Sequence, residues 1–174
     1  MVDYRKAGRE ARKRLLAENH REYSTRICAA LEPMLLPKHT VLLYMPIDGE
    51  VDITPLREFL LKNKTIVLFP SVRGDVMIPV RSGAAMKKGM YGIEEPLGDE
   101  FCDEIEVAVI PMCAFDGYLN RAGFGKGYYD RFLQHRKIQK FGVAFSCQKV
   151  EKLPEKPTDI KMDRIITENE ILGV

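Results

Sequence analysis

Runs of consecutive, mostly apolar residues alternate along the chain with segments that have helical periodicity. Four such runs predict buried strands, at residues 41–45, 65–69, 107–110 and 141–145, and two shorter ones lie at 77–81 and 164–167. Strands that are apolar on both faces and separated by helices are typical of a parallel sheet covered on both sides. The pattern therefore predicts an α/β fold: a single three-layer, Rossmann-like domain over residues 1–174, with a mainly parallel sheet flanked by helices.

The helical segments have recognisable boundaries. We expect helices at 3–18, 20–36, 52–63 and 127–137, with Asn19 capping the second helix and Pro37 closing it. Residues 81–100 contain four glycines and a proline, which predicts a loop region with at most one helical turn, suited to a substrate wall or lid. Ligands in such folds bind beyond the carboxyl ends of the strands, so we expect a site in the loops after Met45, Phe115 and Cys147.

Composition narrows the functional classes. The 174 residues are 45% apolar and 30% charged, which is typical of a globular domain. The net charge of +2 is too small to attract nucleic acid or a membrane surface strongly. No apolar run approaches the roughly 20 residues of a membrane span, and the first residues are charged, so we expect a cytoplasmic protein. The four cysteines are widely spaced and the three histidines lack zinc-binding spacing, which favours reduced, unligated thiols.

The segment GFGKGYYD at 123–130 contains the strongest chemical signal. Its alternating glycines permit positive φ and close approach of a ligand, and backbone N–H groups at a helix start attract anions. Lys126 and Arg121 add charges suited to phosphate, and Asp130 could hold Mg²⁺ beside it. The spacing is neither that of a Walker A loop nor G-x-G-x-x-G. A merely flexible turn is the alternative, and the density of glycines and charges disfavours it.

A second candidate site follows the first predicted strand, where residues 44–52 carry three acids. Glu50 could accept hydrogen bonds from N–H groups of a ligand, although the spacing alone leaves a structural role equally open. Asp48 or Asp52 could instead cap the next helix, and for Asp52 we favour that interpretation.

Two further charged segments are ambiguous from their spacing. Arg5, Arg9 and Arg12 form a basic stripe on the first predicted helix, and a solvated face is its simplest interpretation. Asp159 and Asp163 lie near the last strand and could ligate a metal, but surface positions are favoured.

Taken together, these segments resemble the 5-formyltetrahydrofolate cyclo-ligase family, also called methenyltetrahydrofolate synthetase. The similar segments occur in order over nearly the whole chain: the basic helix, 44–52, 88–96, 111–131 and 158–163. The resemblance implies ATP- and Mg²⁺-dependent conversion of 5-formyltetrahydrofolate, with or without a polyglutamate tail, to 5,10-methenyltetrahydrofolate, through a phosphorylated formyl group. It implies a small-molecule substrate, a monomer, and no nucleic-acid or membrane partner. A paralogue with another substrate and a non-catalytic nucleotide- or RNA-binding protein remain alternatives.

The resemblance also implies residue roles. Nucleotide contacts would come from Arg5, Lys6, Arg9, Arg121, Gly123, Gly125, Lys126, Gly127 and Tyr129. Arg121, Lys126 and Tyr128 would act on the reacting groups, Met45, Glu50, Tyr91 and Tyr128 would contact the folate, and Asp130 and Asp159 would bind Mg²⁺. The resemblance thus favours a ligand role for Arg9 and Asp159 and leaves Asp163 open.

Three positions depart from the family pattern. The family's Lys-x-x-x-Arg pair is represented here by Arg5 and Arg9, with Lys6 adjacent, so the first position of the pair is open. Phe124 stands where relatives often have a basic or aromatic residue, and its role is open. Met112 replaces the usual glycine after the strand, which would alter the loop slightly.

Overall fold

A computed structural model describes residues 3–89 and 92–173. Its helices are α1 (Tyr4–Lys13), α2 (Ala17–Leu35), α3 (Thr54–Lys62) and α4 (Tyr128–Leu133). Its strands are β1 (Thr40–Leu42), β2 (Ile66–Arg73), β3 (Val76–Arg81), β4 (Met86–Lys88), β5 (Glu94–Pro96), β6 (Val107–Pro111), β7 (Ala114–Phe115), β8 (Arg121–Ala122), β9 (Gln139–Val143), β10 (Arg164–Ile166) and β11 (Ile171–Leu172).

Seven of these strands form one twisted sheet in the order β11-β10-β9-β6-β1-β2-β3. The five inner strands run parallel, and the edge strands β11 and β3 pair antiparallel with their neighbours. The predicted α/β fold with a mainly parallel sheet flanked by helices is therefore confirmed.

The apolar runs reflect burial on both faces of the sheet. Val41 points into a cluster with Leu31 of α2 and Leu56 of α3, whereas the next residue, Leu42, joins a cluster with Phe132 of α4 on the opposite face. Because successive residues of a strand face opposite sides, a strand covered on both sides must be apolar throughout. None of the helices within the described residues combines the length and apolarity needed to cross a membrane.

Helix α1 lies across the end of β6 rather than beside the sheet. A Cβ atom at Gly8 would lie 2.0 Å from the carbonyl oxygen of Cys113, so only glycine permits this close approach. Arg12, one turn later, is fully buried and donates from Nη1 to the Met112 carbonyl at 3.2 Å. The helix thereby carries its basic side chains to the carboxyl edge of the sheet.

Some predicted boundaries were wrong. Helix α2 begins two residues before Asn19, because the extended Leu16 separates it from α1, so Asn19 is not the cap. Residues 81–100, predicted as a loop, contain the β4–β5 hairpin, in which Met86 pairs with Pro96. Helix α4 has only six residues, because Gln134 leaves helical geometry and His135 adopts a φ of 66°.

Candidate active site

The first helix and two loops meet at the carboxyl edge of the sheet. Arg5 Nε donates to the Gly123 carbonyl at 2.9 Å, which joins α1 to the glycine loop at 123–127. Arg9 Nε donates to Asp48 Oδ2 at 2.6 Å, and Arg12 Nε donates to the Asp48 carbonyl at 2.9 Å. The structure therefore brings together the basic stripe, the glycine loop and the acidic segment after β1.

Asp48 pairs with three of the basic residues of α1. Its carboxylate forms ion pairs with Arg9, Arg12 and Lys13. Partial burial alone would raise the pKa of Asp48, but hydrogen bonds from Lys13 and Arg9 outweigh it and lower that pKa. The hydrogen bond to Asp48 in turn raises the pKa of Arg9. Asp48 thus anchors α1.

Asp52 has a structural role beside the start of α3, although the N-cap position of that helix is Ile53. Its Oδ1 accepts hydrogen bonds from the N–H of Thr54 at 3.0 Å and from the Thr54 hydroxyl at 2.6 Å, at the start of α3.

Glu50 has a buried carboxylate oxygen that accepts no hydrogen bond from the described residues. Its Oε2 accepts from the Ile47 N–H at 3.1 Å. Its Oε1 has no hydrogen-bond partner within the described residues and lies 3.9 Å from Arg12 Nη2. Burial raises the pKa of Glu50 to about 7, although Arg12 opposes the shift. Because an unpaired buried acceptor is costly, Oε1 is suited to receive a donor from a ligand.

Tyr129, in the first turn of α4, is close enough to Glu50 for the charge of that carboxylate to act on its phenol. Burial, assisted by the charge of Glu50, raises the pKa of Tyr129 and keeps its phenol neutral, while Arg121 opposes the shift. The Arg121 guanidinium carbon lies 5.8 Å from the centre of the Tyr129 ring. The two candidate sites found in the sequence are therefore parts of one site.

Arg121 carries the complementary unpaired group. Its side chain is only 5% exposed, and Nη2 donates to Asp130 Oδ1 at 2.7 Å. Its Nε–H is buried and has no partner among the described residues. A buried, unpaired guanidinium N–H is suited to an anionic acceptor such as a phosphoryl oxygen.

Two of the three glycines of the loop adopt the positive φ that the sequence predicts. Gly125 and Gly127 have φ angles of 93° and 68°, which side chains rarely adopt. Lys126 is exposed, and its carbonyl accepts from Arg131 Nη1 at 2.9 Å. Because α4 is so short, backbone N–H groups and charged side chains, rather than a long helix dipole, supply the positive potential here.

Asp130 and Asp159 lie on adjoining segments. The Ile160 N–H donates to Asp130 Oδ1 at 3.2 Å, which brings the residue after Asp159 against Asp130. Asp159 is exposed, and its Oδ2 accepts from the Lys156 N–H at 2.9 Å. The described residues contain no group of three or more His, Cys, Asp or Glu side chains able to hold a metal. Two carboxylates nevertheless fit Mg²⁺, which usually takes its remaining ligands from water and phosphate.

The other predicted site residues are linked less directly to the glycine loop and to Glu50. Lys6 is 73% exposed on the surface of α1 and lies 4.0 Å from Glu10. Met45 is partly buried against the core cluster on the α2 side of the sheet. Tyr128 packs under Arg131, whose guanidinium carbon lies 5.1 Å from the centre of the tyrosine ring. Tyr91 lies outside the described residues.

Phe124 forms a partly exposed aromatic surface between the basic helix and the site. The guanidinium carbons of Arg9 and Arg12 lie 5.4 Å and 5.9 Å from its ring centre. These distances are typical of cation–π contacts.

Sequence reasoning missed the central position of Arg12 and of Gln148. Gln148 Nε2 donates to the Met112 and Cys113 carbonyls at 2.8 Å and 2.9 Å and so supports the loop on which α1 packs. For Arg12 a signal existed, because Gly8 lies four residues earlier on the same helical face and a glycine there indicates close packing.

Comparisons with known proteins agree with one another. A family model described as the 5-formyltetrahydrofolate cyclo-ligase family matches residues 3–168. The protein of that name from Escherichia coli K12 is 32% identical over 177 residues, which cover 94% of this chain and 97% of that one. The structure of 5,10-methenyltetrahydrofolate synthetase from Aquifex aeolicus is similar with a TM-score of 0.87 and 37% identity, over 98% of this chain and 91% of that one. A 5,10-methenyltetrahydrofolate synthetase from Mycoplasma pneumoniae has a TM-score of 0.79 and 30% identity, over 96% and 99%.

Proposed function

The chain belongs to the 5-formyltetrahydrofolate cyclo-ligase family, and we propose that it converts 5-formyltetrahydrofolate to 5,10-methenyltetrahydrofolate while splitting ATP to ADP and phosphate. One observation carries the proposal: an unpaired buried carboxylate oxygen and an unpaired buried guanidinium N–H both lie close to one neutral tyrosine. The carboxylate suits the N–H groups of a pterin, and the guanidinium suits a phosphoryl group.

ATP would lie along the glycine loop and α1. Arg5 and Arg9 approach this region from the helix, and Lys126 and Arg121 approach it from the loop. Phosphoryl transfer requires positioning and neutralisation of charge more than a side-chain nucleophile. Four cationic side chains around a glycine-rich backbone loop would supply both, and Lys6, although solvent-exposed, would add long-range attraction. Gly123, Gly125 and Gly127 would let the loop approach the phosphates closely.

The folate would bind with its pterin edge towards Glu50. An ionised Glu50 can accept hydrogen bonds from N–H donors at Oε1, and the ligand would then satisfy the orphaned acceptor. Met45, Tyr128 and Tyr91 would contact the apolar faces of the substrate. Because the pKa of Glu50 is about 7, donor groups of the ligand would favour the charged form on binding.

The chemistry follows from the poor leaving ability of a formamide oxygen. The formyl oxygen would attack the γ-phosphorus of ATP and release ADP. N10 of the folate would then attack the formyl carbon and lose its proton, and phosphate would leave with the former formyl oxygen as the ring closes. Arg121 and Lys126 would hold the phosphoryl oxygens through both steps, and Tyr128 would orient the formyl group.

Asp130 and Asp159 would hold Mg²⁺, which would neutralise phosphate charge when bound. Asp130 is already paired with Arg121, so the same carboxylate would connect the metal to the phosphate-binding arginine. This link supports a role for Asp130 in orienting Arg121 as well.

The proposal is tested by measuring ATP consumption with and without 5-formyltetrahydrofolate. We expect hydrolysis only with the folate, in a 1:1 ratio to folate consumed. Folate-independent hydrolysis, or ATP binding without hydrolysis under either condition, would contradict it and would point to another substrate or to a binding protein.

A further inference from the structure

One face of α2 holds the loop that carries Glu50. His20, Ser24 and Cys28 are spaced four residues apart and therefore lie in a row along the helix. His20 Nε2 lies 3.0 Å from the Glu50 carbonyl and 3.3 Å from the Gly49 carbonyl. Ser24 Oγ accepts from the Asp52 N–H at 3.1 Å, and the Cys28 thiol donates to the Asp52 carbonyl at 3.4 Å. Because His20 faces two acceptors, its Nε2 carries the proton.

These hydrogen bonds act where close packing is incomplete. A cleft of about 590 Å³ lies between this face of α2 and the loop. Its lining includes all three side chains of the row together with Gly49 and Asp52. A wall that borders a cleft has fewer close contacts on that side, so the row of hydrogen bonds supports the loop there, together with the bonds from Arg12 to the Asp48 carbonyl and from Tyr44 to the Val51 carbonyl.

The loop also has a backbone that needs support. Asp48 and Gly49 have φ angles of 51° and 74°, so two consecutive residues adopt the left-handed region, one of them not a glycine. Arg12 Nη2 lies only 3.9 Å from the unpaired Oε1 of Glu50. A small shift of the loop would shorten this ion pair to a hydrogen bond, which would consume the acceptor that the ligand requires.

We propose that His20, Ser24 and Cys28 are positioning residues that keep the Glu50 carboxylate available for the pterin N–H groups. The proposal rests on the proposed function for its substrate. Its structural content, the support of residues 49–52 by one row of α2, does not depend on the substrate and can be measured separately.

The test compares His20→Leu with His20→Gln. Both variants lose the ring contact with Phe145, whose centre lies 5.0 Å from that of His20, but only glutamine retains a donor at a similar reach. We expect His20→Leu to raise the KM for 5-formyltetrahydrofolate about fivefold, the effect of one lost hydrogen bond, with the KM for ATP unchanged. We expect His20→Gln to remain close to the wild type. Ser24→Ala, which removes the second link of the row, should also raise the folate KM alone.

Thr25→Ala is the matched control, because Thr25 lines the same cleft but its hydroxyl bonds within α2, to the Arg21 carbonyl at 2.9 Å. We expect it to change neither KM. Equal increases in both KM values for His20→Leu, or a His20→Gln variant that behaves like His20→Leu, would overturn the proposal.

A double-mutant cycle with Glu50→Gln locates the effect. If the row acts through Glu50, His20→Leu should add less to the folate KM in the Glu50→Gln background than in the wild type, and full additivity would contradict the proposal.

Hydrogen exchange of amides 47–52 is the readout that needs no substrate. Faster exchange in His20→Leu than in His20→Gln supports the row even if the wild type turns over no folate, and identical exchange refutes it.

Discussion

Replacing Glu50 with glutamine should stabilise the folded protein while it weakens folate binding. The carboxyl group has an ordinary pKa of 4.5 and a pKa of about 7 in the folded protein, because burial penalises its charged form. Between these pH values the unfolded chain loses the proton while the folded chain keeps it, so the free energy of unfolding falls as the pH rises. The stability contributed by the protonated group is fully present below pH 4.5 and is lost as the pH rises through 7.

The size of this effect follows from the two pKa values. A difference of one in pKa corresponds to about 1.4 kcal/mol, so burying the charged form of Glu50 costs about 3 kcal/mol above pH 7. Glutamine avoids this cost and can still accept the Ile47 N–H, and Arg12 keeps its bonds to Asp48 and Met112. In a protein of this size, 3 kcal/mol corresponds to an increase in Tm of about 6 to 12 °C.

The assay is urea unfolding of both proteins at pH 5, 6, 7 and 8 without ligand. We expect the advantage of Glu50→Gln to grow from pH 5 to pH 8. Glu58→Gln, which changes an exposed glutamate of α3, is the control and should show no such trend. Parallel pH curves for the wild type and Glu50→Gln would refute the reasoning, because they would mean that Arg12 fully compensates the buried charge.

Three other substitutions test the remaining parts of the account. Gly8→Ala places a Cβ 2.0 Å from the Cys113 carbonyl oxygen, and we expect it to cost about 1 to 3 kcal/mol in urea unfolding and to weaken ATP binding; unchanged ATP affinity would mean that α1 is not part of the site. Asp130→Asn should reduce kcat about a hundredfold with an unchanged circular dichroism spectrum, and wild-type turnover would exclude the metal role. Asp116→Ala removes a buried carboxylate that accepts four hydrogen bonds, including one from Leu153 at 2.9 Å, so we expect a loss of about 3 kcal/mol or more in unfolding free energy with both KM values unchanged.

Apolar runs made the fold predictable. Strands such as β1 and β6 are buried on both faces, so their composition directly reflects their position in the sheet. The hairpin β4–β5 was missed because its strands have three residues each and contain mostly polar side chains, such as Lys87 and Glu94. Asn19 was wrongly expected to cap α2, because the interruption between the first two helices comes from the conformation of Leu16 and not from a capping side chain.

The site was predictable where its chemistry is local in sequence. The glycine loop concentrates its signal in eight residues, and the family expected from these segments is confirmed. The burial of Arg12 was not predictable in the same way, because it depends on contact with Met112, one hundred residues later. The convergence of Glu50 and Arg121 near Tyr129 likewise arises only when the ends of two parallel strands are brought together. The individual roles of the site residues stay predictions.

The central claim is tested most directly by following the absorbance of the methenyl product with purified protein, ATP, Mg²⁺ and 5-formyltetrahydrofolate. The account predicts product formation that requires both ATP and the folate and that consumes one ATP for each product molecule. A folded protein that binds ATP but forms no methenyltetrahydrofolate would contradict the assignment of this substrate to the site.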